Sequence, residues 1–96
     1  MVEITKQDDV IWIEGEIDMA SADDLRAALR ENGSGPLILD ASNLTFMDSS
    51  GLRVLLETAA SRNGHGDLIL RRPQRSLRRL LEIAVPDGIA GLQVQE

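Results

Sequence analysis

The chain has 96 residues, a net charge of −6 and a hydrophobic content of 43%. A sequence of this size and composition can build one hydrophobic core, so we expect a single domain over residues 1–96. It contains no cysteine, which excludes disulfides and thiolate metal sites. No apolar run reaches the roughly 18 residues of a membrane span, and the N-terminus lacks the pattern of a signal peptide, so we expect a cytoplasmic protein without membrane contact.

Basic residues are concentrated in one segment. Five of the ten basic side chains are arginines between Arg71 and Arg79, a density that is typical of nucleic-acid surfaces. The same segment carries an apolar stripe at helical spacing, made of Leu77, Leu80, Leu81 and Ala84. The arginines therefore fall on the solvated face of a helix, and the rest of this acidic chain would repel a polyanion. We expect no nucleic-acid binding.

The N-terminal residues predict an antiparallel hairpin. Residues 2–6 and 10–17 are rich in β-forming residues, and Asp8-Asp9 between them has turn chemistry. Alternation along the second strand puts three isoleucines on one face, which we predict to be the core face. These are Ile11, Ile13 and Ile17. Trp12 lies on the opposite face, either as a half-covered side chain or as part of a contact surface.

A helix and a strand are predicted next. Residues 21–24 have the spacing of a capping box, and an apolar helical stripe follows until the chain reaches Asn32-Gly33. The stripe consists of Ala22, Leu25, Ala28 and Leu29. The nearly continuous apolar run of residues 36–41 then suits a central strand covered on both faces.

The second half of the chain predicts a crossover from the central strand through a helix to a parallel strand. The helical stripe consists of Leu52, Leu55, Leu56 and Ala59, and residues 63–66 have the composition of a C-cap. Residues 67–70 predict the parallel strand. A third helix follows Pro73, and residues 91–94 predict a short edge strand. We therefore predict an α/β fold with a mixed sheet of four to five strands and about three helices.

Residues 44–52 carry the most specific signal. Asp48, Ser49, Ser50 and Gly51 lie where an apolar loop is predicted to become a helix. A serine hydroxyl at a helix N-terminus lies beside unpaired backbone N–H groups and the positive end of the helix dipole, which favour a phosphate. Aspartate and serine are also ordinary N-caps, so capping alone is the alternative interpretation. Both place Ser49 at the carboxyl end of the central strand, the edge where open α/β sheets bind their ligands.

Catalytic and metal-binding patterns are weak. The single histidine, His65, is predicted in a turn at the far end of the helix that Ser49 begins, too distant to act as its base. The sequence has no Gly-x-Ser-x-Gly elbow and no Gly-rich phosphate loop. Three carboxylates, of Asp18, Asp40 and Asp48, would suit a hard cation if they converged, but aspartates at such positions are also ordinary turn and cap residues. We expect no enzymatic activity, no metal and no cofactor.

Two motifs make the chain resemble a known family. Residues 15–18, Gly-Glu-Ile-Asp, are similar to the Gly-x-hydrophobic-Asp motif that ends the second strand of a STAS domain. Residues 44–52 resemble the signature around the phosphorylated serine of that family. With the order of the predicted elements, these motifs make the whole chain resemble the free-standing bacterial anti-sigma factor antagonists.

The resemblance implies a function by partner switching. The unmodified protein would bind an anti-sigma factor that is also a serine kinase, and so release a sigma factor. Phosphorylation of Ser49 would end this binding, and a serine phosphatase would restore it. Asp18, Asp48, Ser50 and Gly51 would support the phosphorylation site.

The partner-binding surface is expected to combine the predicted loop of residues 42–48, including Thr45 and Met47, with the exposed side of the second helix, including Arg53 and Glu57. For the two helix charges, solvation alone is an equally good interpretation. Two other functions are open. One is a STAS scaffold subunit of a lipid-transport or stress-signalling complex, which acts by packing without phosphorylation. The other is a nucleotide-binding domain, against which the missing Gly-rich loop argues.

Overall fold

The computed structural model describes residues 2–30, 35–62 and 66–96. In these residues the chain forms one five-stranded sheet, in the order β1-β2-β3-β4-β5, and three helices. The strands are β1 (Val2–Gln7), β2 (Val10–Ile17), β3 (Leu37–Met47), β4 (Leu68–Arg71) and β5 (Leu92–Gln95), and the helices are α1 (Ala22–Arg30), α2 (Ser49–Ser61) and α3 (Arg75–Ala84). Only β1 and β2 pair antiparallel. The predicted mixed α/β fold is confirmed.

The turn between β1 and β2 consists of Asp8 and Asp9, whose φ angles of 55° and 62° are both left-handed. A two-residue turn with two positive φ angles matches the twist of antiparallel strands. Aspartate adopts this conformation more readily than most residues. The turn sets the register in which Gln7 faces Val10, and the predicted hairpin is confirmed.

The hydrophobic core lies between one face of the sheet and the helices. The predicted core face of β2 is confirmed, because Ile11, Ile13 and Ile17 are all buried. They belong to one cluster that also includes residues of every described helix, among them Leu25 and Leu29 of α1, Val54 and Leu55 of α2, and Leu77 and Leu81 of α3. Right-handed crossovers between successive neighbouring strands put their helices on one side of the sheet, as this shared cluster requires.

The opposite face of the sheet is not covered by the described helices. Ile38 and Ile69 point to this face, since they alternate with the core residues Leu39 and Leu70. Both isoleucines are only partly buried and lie outside the core cluster. The prediction that the central strand is covered on both faces is therefore wrong. Among the described residues, no helix is long and apolar enough to cross a membrane.

The central strand is longer than predicted. β3 continues to Met47, so residues 42–47, predicted as a loop, are strand. Pairing with β2 persists across irregularities in register, one of them beside Gly15, whose φ of 105° suits glycine and not other residues. The pairing ends with Ile17 opposite Met47. The polar pair Ser42-Asn43 masks this strand in the sequence.

Two features of the helices differ from the sequence pattern. Arg62, which no motif marks, is buried at the C-cap of α2, where its Nε donates to the Gly66 carbonyl at 3.0 Å and its Nη2 donates to the Gly35 carbonyl. Ala84, predicted in the buried stripe of α3, is exposed. The predicted helix ends at residues 32–33 and 63–65, including His65, lie outside the described residues.

A buried carboxylate joins β3 to the end of β4. Asp40 is 1% exposed and points to the face of the sheet without helices, where its Oδ2 accepts from Arg71 Nε at 2.8 Å and from Arg72 Nη2 at 2.6 Å. Its Oδ1 accepts from the Ser42 amide at 2.9 Å and the Ser42 hydroxyl at 2.6 Å. Burial favours a raised pKa, but the hydrogen bonds from Ser42, Arg72 and Arg71 outweigh it and hold the pKa of Asp40 far below its usual range.

The Arg71 guanidinium also lies 5.2 Å from the ring centroid of Trp12, which is half-covered.

We predict that Asp40→Asn destabilises the domain by about 2 to 4 kcal/mol at neutral pH, because it leaves two guanidinium groups without their carboxylate. A lowered folded-state pKa stabilises the fold at every pH above the unfolded-state value of about 4, and this stabilisation is lost as the pH falls further. The deficit of the variant should therefore shrink between about pH 4 and pH 2. Urea unfolding of the parent and the variant at several pH values measures the difference in their free energies of unfolding.

The matched control is Glu57→Gln, which removes a carboxylate from an exposed ion pair with Arg26. An exposed pair contributes about 1 kcal/mol or less. Equal effects of the two substitutions at neutral pH would contradict the stabilising role assigned to Asp40.

Candidate functional site

The site lies where β2 and β3 end side by side. Ile17 pairs with Met47, and the next amide of the chain, that of Asp48, donates to the Ile17 carbonyl at 3.2 Å. Asp18 and Asp48 each follow the last residue of their strand, so the parallel register brings the two aspartates to the same edge of the sheet. The chain then turns into α1 after Asp18 and into α2 after Asp48.

Asp48 is the N-cap of α2. Its carboxylate accepts from the amides of Ser50 at 2.9 Å and Gly51 at 3.4 Å, and its carbonyl accepts from the Leu52 amide at 3.1 Å. The amides that we expected to be free for a phosphate are therefore already bonded to this carboxylate. The helix dipole still favours negative charge here, but Asp48 supplies that charge in the unmodified protein.

Ser49 is the first residue of α2, and its side chain is exposed. Within the described part of the chain its hydroxyl has no hydrogen-bond partner, whereas the neighbouring Ser50 is half-buried. No side chain of the described residues that could act as a base is bonded to Ser49. The hydroxyl is therefore accessible to another protein, and it is an acceptor for chemistry that the other protein would supply.

Gly51 allows α2 to begin close to the sheet. A Cβ atom at this position would lie 2.6 Å from Ile17 Cγ2 and 2.6 Å from Met47 Cγ. Those distances are far inside van der Waals contact, so only glycine fits without a shift of the helix or of these two side chains. Gly51 thus fixes how the first turn of α2, including Ser49, sits over the strand ends.

Asp18 organises the turn before α1. Its carboxylate accepts from the Ala20 amide at 3.0 Å and from the amide and hydroxyl of Ser21, both at 3.1 Å. The Ser21 hydroxyl in turn accepts from the Asp18 amide at 3.0 Å, so Ser21 bonds backwards and the predicted capping box with Asp24 does not form. The hydrogen bonds from Ser21 lower the pKa of Asp18, which is exposed.

Two exposed apolar side chains flank the site. Phe46 is 46% exposed on the last part of β3, and Met19 is 79% exposed in the turn after Asp18. No sequence pattern marked either residue: Phe46 lies in a segment predicted as loop that is strand, and Met19 lies in a turn, where periodicity does not predict exposure. Met47, predicted as a partner contact, is only 5% exposed and packs into the core. Thr45 is exposed, and its hydroxyl donates to the Gly15 carbonyl at 3.0 Å.

The outer face of α2 carries Ser49, Arg53 and Glu57 at intervals of four residues, so the three side chains lie in one row. All three are exposed. Glu57 Oε1 accepts from Arg26 Nη2 of α1 at 3.0 Å, and Arg26 also pairs with Asp23. Arg53 has no ion pair within residues 2–30, 35–62 and 66–96. The structure thus brings the two predicted contact residues of α2 into line with Ser49.

The three aspartates considered for a cation do not converge. Asp40 is bonded to Arg71 and Arg72 on the face of the sheet without helices, whereas Asp18 holds the turn before α1 and Asp48 caps α2. In the part of the chain that the structure describes, no group of three or more acidic or histidine side chains could hold a metal ion. What the site offers is an exposed alcohol, two carboxylates and two apolar side chains.

Comparison with known proteins identifies the architecture. A family model described as Mlab, STAS domain, matches residues 1–93. The solved structure of the anti-sigma factor antagonist SpoIIAA in its unphosphorylated form is similar, with a TM-score of 0.68 and 21% identity over 100% of this chain and 88% of that one. An anti-sigma factor antagonist from Mycobacterium paratuberculosis has a TM-score of 0.74 and 24% identity, over 97% of this chain and 84% of that one. At these identities the likeness shows a shared fold.

We predict that Gly51→Ala destabilises the domain by about 1 to 3 kcal/mol, because the added methyl group overlaps Ile17 and Met47. Helix propensity alone favours alanine over glycine by about 1 kcal/mol, so it would predict that the variant is more stable. Ser50→Ala is the control, since its alanine enters the same helical turn without that contact. Thermal unfolding of the three proteins measures the effect, and a more stable Gly51→Ala variant would disprove the close approach of α2.

Proposed function

The chain belongs to the STAS domain family, and on that premise we propose that it is an anti-sigma factor antagonist. In its unmodified form it binds an anti-sigma factor that is also a serine kinase, and a sigma factor is released. Phosphorylation of Ser49 switches this binding off, and a serine phosphatase restores it. The protein acts by binding in the cytoplasm, without catalysis, cofactor or contact with nucleic acid.

The observation that carries the proposal is the exposed hydroxyl of Ser49 at the start of α2, which is unpaired within the described residues. Ser49 is also the first serine in residues 44–52, which resemble the signature around the phosphorylated serine of the antagonists, and the similar fold of two solved antagonists supports this comparison. Ser49 is the residue to be modified because its neighbour Ser50 is half-buried.

The chemistry requires the partner. The Ser49 Oγ would attack the γ-phosphorus of ATP held by the kinase, its proton would pass to a base of the kinase, and ADP would leave. This chain contributes the nucleophile and its position, which Asp48 fixes by capping the helix and Gly51 by allowing its close approach. Asp18 holds the neighbouring turn through Ser21.

The phosphate acts on the interface by charge. It adds about −1.5 to −2 charge at an edge that already carries the carboxylates of Asp18 and Asp48. A partner surface adapted to the unmodified site would then face repulsion and the desolvation of a buried dianion. A loss of about 3 kcal/mol lowers affinity roughly a hundredfold, so the fold itself need not change.

The proposed partner surface consists of Met19, Thr45, Phe46, Arg53 and Glu57 around Ser49. Phe46 and Met19 are its apolar side chains, at the carboxyl ends of β3 and β2, and Arg53 and Glu57 are its charges on α2. Met47 contributes from beneath, as the buried side chain that supports Gly51. Exposed apolar side chains beside polar ones are the usual composition of a binding surface.

A scaffold subunit of a lipid-transport or stress-signalling complex is the second candidate. It is favoured by the matched family model, whose description names Mlab and no antagonist. In that role the same surface would hold its partner permanently, and Ser49 would not be modified.

The first test of the two candidates is phosphorylation. We expect candidate serine kinases with ATP to add one phosphate to the protein, located on Ser49 by intact mass and peptide mapping, and to leave Ser49→Ala unmodified. Ser50→Ala is the matched control and should be modified normally. Ser49→Ala should keep its affinity for the kinase, while Ser49→Asp should bind at least tenfold more weakly. Equal affinities of Ser49→Ala and Ser49→Asp would refute the switch.

The second test concerns the apolar side chains of the surface. Phe46→Ala and Met19→Ala should each weaken kinase binding by about tenfold or more, because each removes apolar area from the interface. Met19 is 79% exposed and Phe46 46% exposed, so Met19→Ala should leave thermal stability unchanged and Phe46→Ala should lower it only slightly. Ile83→Ala, which removes an exposed side chain of α3, is the control and should bind normally. Unchanged binding of both variants would place the interface elsewhere.

A further inference from the structure

We infer that Arg53 binds the phosphate of phosphorylated Ser49 within the same chain, an inference that rests on the modification of Ser49 in the proposed function. Ser49 is the first residue of α2 and Arg53 lies four residues on, so their side chains are neighbours on one face of the helix. Both are exposed. An anion one turn before a cation is also the favourable order along a helix, because it agrees with the helix dipole.

Most of the usual phosphate donors at a helix N-terminus are already bonded here. The amides of Ser50 and Gly51 donate to the Asp48 carboxylate, and the Leu52 amide donates to the Asp48 carbonyl. Among these first amides only that of Ser49 itself has no acceptor within the described residues, so further donors to a phosphate on Ser49 must come from side chains. A guanidinium group with its planar set of N–H donors binds phosphate with two hydrogen bonds.

The obvious competitor for Arg53 is already paired. Glu57 lies one turn beyond Arg53 and would otherwise form the same kind of pair with it. Its Oε1 instead accepts from Arg26 Nη2 of α1 at 3.0 Å, and Arg26 is held in addition by Asp23. Arg53 has no ion pair to any described residue, so its guanidinium is available to the phosphate.

Phosphorylation then changes two features of the surface at once. It adds a dianion at Ser49, and it draws the guanidinium of Arg53 away from any partner group that it contacts. The other charges facing the phosphate are Asp48 at the end of β3 and Asp18 in the turn before α1, both of which favour the monoanion. On α1, Arg26 is balanced by Asp23 and Glu57. Arg53 is therefore the charge that stabilises the dianion.

The test uses the full chain with phosphoserine placed at position 49 during synthesis, so that it needs no kinase. The second pKa of the phosphate, about 6 in an unperturbed phosphoserine, is measured by titration with phosphorus NMR. Arg53→Gln should raise this pKa by about 0.2 to 0.4 pH unit, because it removes the neighbouring cation. Arg30→Gln, at the C-terminal end of α1 and so far from the strand ends, is the matched control and should leave the pKa of the phosphate unchanged.

A further variant distinguishes a guanidinium bridge from the general effect of a nearby positive charge. Arg53→Lys keeps the charge and should give a pKa between those of the parent and Arg53→Gln, since lysine lacks the planar pair of donors. High salt should reduce the difference between the parent and Arg53→Gln, because exposed pairs are screened. An identical phosphate pKa in the parent and Arg53→Gln overturns the inference.

The outcome is independent of the kinase experiments. A raised phosphate pKa in Arg53→Gln supports the bridge even if no kinase modifies the protein, in which case the antagonist function alone fails. Unchanged titration together with normal phosphorylation and release would leave the antagonist function standing and refute the bridge.

Discussion

The parallel pairing of β2 and β3 up to their last residues is the constraint on which the site depends. Ile17 stands opposite Met47, and the Asp48 amide continues the pairing by donating to the Ile17 carbonyl. Because both strands end together, the turns into α1 and α2 share one edge, with one aspartate at the start of each turn. Because Gly51 has no side chain, the first turn of α2 packs closely on these two strand ends. A Cβ at position 51 would overlap Ile17 and Met47. The position of Ser49 is thus set by backbone pairing and by a missing side chain, and it does not rest on contacts of its own hydroxyl.

The sequence predicted those parts of the fold that depend on neighbours in the chain. Alternation of isoleucines gave the buried face of β2, the helical stripes gave α1 and α2, and the Asp48-Ser49-Ser50-Gly51 segment gave the start of α2. What it did not predict depends on residues far apart in sequence. The extension of β3 is stabilised by β2, about thirty residues earlier, and the burial of Asp40 depends on Arg71 and Arg72. A local pattern contains no information about such partners.

The same distinction applies to the site. Asp48 and Ser49 were recognised by their spacing, because a helix cap is local. Phe46 was missed, since it lies on a part of β3 that local composition concealed, and Met19 was missed because it lies in a turn without periodicity. Met47 was expected on the surface and is instead part of the core. The pairing of Glu57 with Arg26 crosses from α2 to α1 and has no signature in either helix alone.

Charge at this edge is divided between groups that build the fold and groups that are free to respond. The Asp18 carboxylate bonds to amides of the turn before α1 and the Asp48 carboxylate to amides of the first turn of α2, so both are fixed in place. Among the described residues, the Arg53 side chain forms no such hydrogen bond or ion pair. On the proposed function, the domain therefore responds to modification through this guanidinium on α2, while the sheet and helix caps stay as they are.

The ion pair between α1 and α2 has a consequence for how such a response is adjusted. Arg26 forms an ion pair with Glu57. The residue at position 26 therefore decides whether Glu57 competes with the Ser49 phosphate for Arg53. Loss of Arg26 would leave Glu57 free to pair with Arg53. Arg53 would then be less available to a phosphate on Ser49, one helical turn earlier. On the proposed function, the affinity of the site for its phosphate would then be adjusted from a different helix, by a residue that need not contact the partner.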